Sequence, residues 1–375
     1  MVSVAFTGGG TGGHIYPGLA VASRLKERIP ARIFWIGDEK GMDRAIVEKA
    51  GLKFFGIPSG KLRRYFSLKN FSDVFKIGSG FFAARRILRK EKPALLFSKG
   101  GFVSVPPCAA AASFGIPIFA HESDYSPGLA TRINSRFAQK IFLPYKESAR
   151  FFSGAAREKI SVCGNPIRAE FAAADAVKGR AFLGLESGER MLLVLGGSLG
   201  SREINDLVRA ALPDLTRHYT VIHQTGEHDE PPDAGKLSLL GAGRYKPYAY
   251  FGEEIPHIMA AAELVLCRSG AGTIWEAASL RKPMVLIPLR GAGTRGDQVE
   301  NARFFQKAGA AICFADNDDA ALSPESLVRL IGSLAEDPAR RQGMADAEIA
   351  AADAAGVIAE EIAREIEHVQ NKEKK

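Results

Sequence analysis

Paired cysteines are missing from this chain. Its four cysteines, Cys108, Cys163, Cys267 and Cys313, lie far apart and without metal-ligand spacing. That excludes a disulfide framework, argues against a zinc site, and fits a reducing cytosol. No export signal is expected either: residues 2–6 run straight into a glycine loop at Gly8, too short and too uncharged at the start for such a signal. No segment reads as a membrane span. The uncharged stretch Val103–Ala120 has 18 residues, close to a crossing length. It contains Pro106, Pro107, Gly115 and Pro117, and reads instead as an alanine-rich helix at 107–114 followed by a strand at 116–120. The chain is not expected to cross a bilayer, though it can lie on one.

Acidic residues are scarce in one place. Between Ser59 and Lys92 there are ten basic residues and two acids, Asp73 and Glu91. That segment alone accounts for the formal charge of +8, and the rest of the chain is neutral. A uniformly basic protein suggests nucleic acid; one basic segment suggests a local anionic partner. The segment also holds Tyr65, Phe66, Phe71, Phe75, Phe81 and Phe82, several at helical spacing. Cationic ends with an aromatic body suit a surface helix on an anionic bilayer, although part of the stripe must serve as core. No nucleic-acid recognition motif accompanies it.

At 375 residues and 46% apolar composition, the chain is expected to be globular with two domains. Short β-branched runs alternate with amphipathic segments, the pattern of a parallel sheet covered by helices. Strands are expected at 2–6, 32–36, 94–97, 116–120 and 140–143, then at 191–195, 219–223, 263–267, 283–287 and 310–314. Each set opens with a strand, a glycine turn and a helix. The division is expected near Gly164-Asn165-Pro166, giving domains at 1–165 and 166–349. The fold class is therefore α/β, with two Rossmann-like doubly wound parallel sheets facing across a cleft. Ligands of such sheets bind beyond the carboxyl ends of the strands.

The candidate chemistry lies at those ends. Gly8–Gly13 matches G-x-G-x-x-G between a strand and a helix. Its glycines let backbone N–H groups close on a phosphate, and the helix start adds positive dipole. A dinucleotide would fit equally, with Asp38 as the ribose acid. His14 is extra to that fingerprint; it is a candidate general base or electrostatic group, or else a packing residue. Lys99-Gly100-Gly101-Phe102 makes a second phosphate-sized turn on the same edge. His121-Glu122-Ser123-Asp124 follows the next strand, where ionisable groups need a purpose if buried. Glu122 and Asp124 are alternative bases.

In the second half, Gly196-Gly197-Ser198 is another anion turn. Arg268-Ser269-Gly270-Ala271-Gly272-Thr273 precedes a helix whose N-terminal amides suit a diphosphate, and Glu276 one turn later suits a ribose diol. Gln298 and Asn301 share a helical face and suit sugar hydroxyls. Asp316-Asn317-Asp318 reads as a solvated loop rather than a cation site, so no metal and no other cofactor is expected.

In order along the chain, TGGGTGGHIYPGLA (7–20), KGGFVSVP (99–106), HESDYSPG (121–128), GNPIR (164–168), GGSLGS (196–201), HQTG (223–226), RSGAGTIWE (268–276) and DQVENA (297–302) resemble the MurG family of N-acetylglucosaminyltransferases. The resemblance runs from residue 1 to about 315. It implies a GT-B fold and an inverting, metal-independent transfer from UDP-N-acetylglucosamine to the C4 hydroxyl of lipid I, giving lipid II for peptidoglycan. It implies an acceptor and membrane-docking N-terminal half, against which a C-terminal helix at about 350–370 packs back, at the cytoplasmic face of the bacterial membrane. Residues 59–92 would meet the anionic bilayer. By the same resemblance Thr11, Gly12, Gly13 and Asp124 bind substrate in the first half. Phe251 and Gly252 lie near the uracil; Arg168, Ser198, Arg268 and Ala271 to Thr273 lie near the diphosphate and sugar. Glu276 takes the ribose, and Gln298 and Asn301 take the N-acetylglucosamine. The chain departs from the family where His-Glu-Gln-Asn becomes His-Glu-Ser-Asp, at Thr131 in place of a common Asn, and at Lys99. The first two lie in the acceptor half; the segment before Gln298, Arg295-Gly296-Asp297, departs as well. Another GT-B transferase with a different lipid acceptor, and more remotely a nicotinamide-dependent dehydrogenase, are the rival readings.

Overall fold

The computed structural model describes residues 1–60, 69–197, 200–229, 243–291, 294, 296–314, 322–349 and 353–373. Two compact units emerge, Met1–Arg168 with Ala352–Lys375, and Ala169–Ala351. The first holds seven strands: β1 Val2–Thr7, β2 Ala31–Asp38, β3 Lys53–Ile57, β4 Leu95–Ser98, β5 Ile118–His121, β6 Lys140–Leu143 and β7 Ile160–Val162. All pair in parallel, in the order β3-β2-β1-β4-β5-β6-β7. The second holds β8 Met191–Leu195, β9 Thr220–Gln224, β10 Tyr245–Tyr248, β11 Leu264–Cys267, β12 Met284–Leu286 and β13 Ala311–Cys313. These too are parallel, in the order β10-β9-β8-β11-β12-β13. Each sheet is doubly wound, and its strand order reverses once, between β1 and β4 and between β8 and β11. A crevice opens at such a reversal, beyond the carboxyl ends.

The central strands are buried on both faces, which explains their unbroken apolar runs. On one face of the first sheet Phe6, Trp35 and Phe97 pack with Ile15, Val21 and Leu25 of the helix Gly12–Arg28. The C-terminal helix Ala354–Glu373 adds Ile358, Ile362 and Ile366 to that core, four residues apart on one face. Lys140 of β6 fastens it through an ion pair of 2.5 Å to Glu361. On the other face Ala84 and Leu88 of the helix Lys69–Glu91 meet Ile36, Leu96 and Ile141. In the second unit Ile204, Val208 and Leu212 of the helix Arg202–His218 cover Leu192, Val194 and Leu266.

Three observed strands, β3, β7 and β10, were not expected from sequence. All three are sheet edges. An edge strand is only partly buried, so its run is short and mixed: KFFGI, ISV and YKPY. Pro247 within β10 is tolerated because an edge has bonding positions to spare. The alanine-rich helix begins earlier than expected, at Val105 rather than 107. Pro106 and Pro107 lie in its first turn, where a missing N–H costs nothing.

The four cysteines are buried, and none is in a disulfide. Among the described residues, no group of three or more His, Cys, Asp or Glu side chains is placed to hold a metal ion, and no helix is long and apolar enough to cross a membrane. Ser198, the Asp316-Asn317-Asp318 turn, and Lys61, Arg63, Arg64, Tyr65 and Phe66 of the basic segment lie outside the described residues.

Candidate active site

At the first reversal two glycine loops, after β1 and β4, lie in direct contact. Gly101 has φ +78°, and a Cβ there would come within 2.5 Å of the Gly9 carbonyl oxygen. Only glycine fits both the conformation and the approach. The first loop is held from behind. The Gly8 carbonyl accepts from the Trp35 indole at 2.9 Å. Asp43, fully buried, accepts from the Gly10 amide at 3.0 Å and the Asp38 amide at 2.9 Å. Burial pushes its carboxyl up, and those amides only partly oppose the rise. Sequence reasoning missed Asp43: a lone acid at a helix start reads as an answer to the dipole. The helix Gly12–Arg28 starts after Thr11 with no side-chain cap and no acid in its first turn. The amides of Gly12 and Gly13 therefore meet no capping side chain, which leaves an anion-binding end.

His14 is half-buried at that end, and its Nδ1 lies 3.3 Å from the Lys99 carbonyl. A carbonyl only accepts, so Nδ1 carries a hydrogen, and in the neutral imidazole the lone pair is then on Nε2. Glu122 is differently placed. Its Oε1 accepts from the Ser123 amide at 2.8 Å and the Asp124 amide at 3.2 Å, and its Oε2 from the Gly128 amide at 2.9 Å. Burial raises the Glu122 carboxyl, but the Lys99 ammonium, the Thr131 hydroxyl, the Gly128 amide and His14 outweigh it and hold the value down. Glu122 is thus an ionised anchor of its loop, with both oxygens engaged. Asp124, half-buried beside it, faces the same ammonium.

Lys99 is the surprise of this edge. It is only 1% exposed, and its Nζ donates to Ser123 Oγ at 2.7 Å. Ser123 in turn donates to Asn165 Oδ1 at 2.7 Å. Burial brings the ammonium down to about 8, against the pull of Glu122 and Asp124. His121 donates from Nε2 to the Gly164 carbonyl at 3.2 Å and is kept neutral by burial and by Lys99. Arg168, which closes the Gly164–Arg168 segment, sets its guanidinium 5.2 Å from the Tyr16 ring centroid in the first unit.

At the second reversal a cavity of about 390 Å³ opens between the loops after β8 and β11. Gly196, Gly197, Arg268, Gly270, Thr273 and Gln298 line it. The helix Ala271–Ser279 points its start at this space with Gly270 as an N-cap that offers no side-chain acceptor. The amides of Ala271, Gly272 and Thr273 form its first turn, and Glu276, half-buried, sits one turn further in. Arg268 braces the walls: it donates to Ser201 Oγ at 2.8 Å and to the Ile287 and Pro288 carbonyls, and pairs with Glu203 at 2.6 Å. Gln298 accepts from the Leu289 amide at 2.9 Å. Asn301 is fully buried away from the cavity wall and donates to the Ser269 carbonyl at 3.1 Å. Phe251 is buried with its ring 4.7 Å from that of Tyr248, while Gly252 is exposed. The first-turn amides, Thr273, Gln298 and the glycine loop thus converge on one space; Asn301 supports it from beneath.

The chain matches the glycosyltransferase family 28 N-terminal domain over residues 4–143 and the glycosyltransferase family 28 C-terminal domain over 191–362. It is 47% identical over 350 residues to a UDP-N-acetylglucosamine--N-acetylmuramyl-(pentapeptide) pyrophosphoryl-undecaprenol N-acetylglucosamine transferase of Treponema denticola, covering 89% of this chain and 88% of the relative. A Clostridium kluyveri protein of the same description is 43% identical over 85% and 88%. Among solved structures, Acinetobacter baumannii MurG superposes with a TM-score of 0.72 at 23% identity, covering 97% of this chain and all of that one. A UDP-GlcNAc 2-epimerase from Neisseria meningitidis bound to UDP-GlcNAc superposes at 0.70 and 16% identity, over 97% and all of its chain. These two show the shared GT-B fold.

Proposed function

The chain belongs to the MurG family of glycosyltransferase family 28, and on that premise we propose that it moves N-acetylglucosamine from UDP-N-acetylglucosamine to lipid I, forming lipid II for peptidoglycan. One observation carries the reading: a single chain holds two glycine-lined switch points, each facing an uncapped helix start, in a sequence 47% identical to a transferase of that description. One switch point suits the diphosphate of the acceptor and the other that of the donor.

The reaction is an inverting displacement. The C4 hydroxyl oxygen of the muramoyl sugar attacks the anomeric carbon as the bond from that carbon to the UDP oxygen breaks. The hydroxyl proton passes to Nε2 of the neutral His14, the nitrogen opposite the Nδ1 that faces the Lys99 carbonyl. The charge growing on UDP meets the first-turn amides of Ala271–Ser279, donors already in place before the reaction. Glu276 takes the ribose diol, Gln298 the sugar, and the loop at Phe251 and Gly252 the uracil. Asn301 acts from beneath, by holding the Ser269 carbonyl.

The acceptor keeps its lipid tail in the bilayer, so the enzyme docks there as a peripheral protein. The helix Lys69–Glu91 supports this. Gly80, Ala84 and Leu88 face inward, whereas Phe75 at 77% and Phe82 at 70% exposure share the outer side with Arg86 and Arg89. Arg85 lies over the Phe114 ring at 4.4 Å. Exposed rings beside cations suit the interface of an anionic leaflet.

A transfer assay tests the reading. Purified protein receives UDP-N-acetylglucosamine, a lipid I analogue, and other UDP-sugars as controls, with and without EDTA. Turnover with UDP-N-acetylglucosamine, undiminished by EDTA, is expected. Equal or better use of another donor overturns the assignment.

A further inference from the structure

We propose that Gln224 is a positioning residue that ties the phosphate-side loop of the second unit to its base-side loop, fixing the spacing that a nucleoside diphosphate must span. The inference rests on the donor reading above and deepens it. Gln224 ends β9 and is only 6% exposed. Its Nε2 donates to the Gly197 carbonyl at 3.1 Å, in the loop after β8. Its Oε1 accepts from the Phe251 amide at 3.0 Å, in the loop after β10. The bridge needs one donor and one acceptor on a single planar group, which an amide offers and a carboxylate does not.

The strand end beneath is clamped, so the amide is presented in one orientation. His223 contacts Asn205 Oδ1 through Nε2 at 3.1 Å and Tyr245 Oη through Nδ1 at 3.2 Å. Burial and Arg209 push its imidazole down to about 3, so it is neutral, with Nε2–H donating to Asn205 and Nδ1 accepting from the tyrosine. Asn205 Nδ2 donates to the Thr225 carbonyl at 2.9 Å. The Thr225 amide donates to the Tyr248 carbonyl at 2.9 Å, and the Gly226 amide to Ala249 at 3.0 Å. A Cβ on Gly200 would meet the Thr225 oxygen at 2.1 Å, so the phosphate-side loop rests directly on this segment. The two loops have no strand between them except β9, and Gln224 is where β9 reaches both.

A preformed spacing favours only ligands that touch both loops at once. The test uses Gln224→Leu, which keeps the volume and removes both bonds, and Gln224→Glu, which keeps only the acceptor facing Phe251. UDP affinity is measured by calorimetry, inhibition constants for uridine and for pyrophosphate separately, and KM for the lipid acceptor. UDP is expected to weaken about tenfold or more in Gln224→Leu, which loses both bonds, and at least as much in Gln224→Glu, which sets a carboxylate oxygen against the Gly197 carbonyl. Uridine and pyrophosphate should each shift by less than about twofold, and acceptor KM should hold. A merely structural role would lower the folded fraction without separating UDP from its two halves. Gln224→Leu binding UDP within twofold of wild type overturns the strut, as does a UDP loss fully accounted for by the uridine and pyrophosphate losses. If Gln224→Leu does not fold, Gln224→Glu carries the same comparison. A wild-type chain that takes no UDP overturns the donor reading itself.

Discussion

Asp43→Ala should unfasten the glycine loop that leads into the helix bearing His14. The carboxylate accepts from two buried amides, of Gly10 and Asp38, at 3.0 and 2.9 Å. Hydrogen bonds to a charged group are worth about 1.5–3 kcal/mol each, so their sum is about 3–6 kcal/mol. Burial pushes Asp43 up, which shows that desolvation already offsets part of that gain. The lower end, about 3 kcal/mol, is therefore expected at neutral pH. Asp43→Asn keeps one acceptor oxygen and should lose about half as much. The chain has two tryptophans, and Trp35 donates to Gly8 in this loop. Urea unfolding followed by fluorescence in a Trp275→Phe background thus reads the first unit alone. The pH dependence has a sign. A carboxyl raised by folding contributes stability that is present below its unfolded value and is lost as pH rises through its folded value. The gap between wild type and Asp43→Ala should accordingly widen as pH falls through the carboxylate range. A loss below about 1 kcal/mol at pH 7, or a gap that narrows on acidification, refutes the reasoning.

His14→Ala should lower kcat by about 10²–10⁴-fold with unchanged UDP affinity, measured by calorimetry and steady-state kinetics; a loss under tenfold in a folded variant removes it from the role of base. Lys99 titrates at about 8 among Glu122, Asp124, His121 and His14. Above that pH the ammonium loses its proton and Glu122 its counter-charge, so kcat/KM for the acceptor should fall with an alkaline limb near pH 8. Lys99→Met should lack that limb, and a limb that persists in the variant rejects the assignment. Replacing Arg85, Arg86 and Arg89 by Glu should weaken sedimentation with phosphatidylglycerol vesicles and leave UDP binding intact; unchanged sedimentation counts against docking through this helix.

What could be read from sequence, and what could not, divides along physical lines. The central strands were legible because burial on both faces demands an unbroken apolar run. The edges β3, β7 and β10 were not: half-exposed, β3 carries a lysine and a glycine, β10 a lysine and a proline, and β7 is only three residues with a serine at its centre. The loops at the carboxyl ends were legible by their glycines, and the structure lays the turns at Gly8–Gly13 and Lys99–Gly101 against one another. Buried charges were hidden. Asp43 was passed over and Lys99 was read as part of a glycine turn, since lysine and aspartate are rarely interior. Sequence reading put the Lys99 turn and the His121–Asp124 segment on one sheet edge without pairing them. β4 and β5 pair in parallel, with Leu96 beside Ile118 and Ser98 beside Ala120. One step beyond that register puts Lys99 beside His121 and the acids that follow it. A lysine ending one strand and a Glu and an Asp ending its neighbour become partners as soon as adjacency is known. Consecutive strands joined by one short helix, here Val105–Ala112, usually lie side by side, as β4 and β5 do. The burial of Lys99 is thus a consequence of topology rather than of local sequence, and its partners Glu122 and Asp124 are what make that burial tolerable.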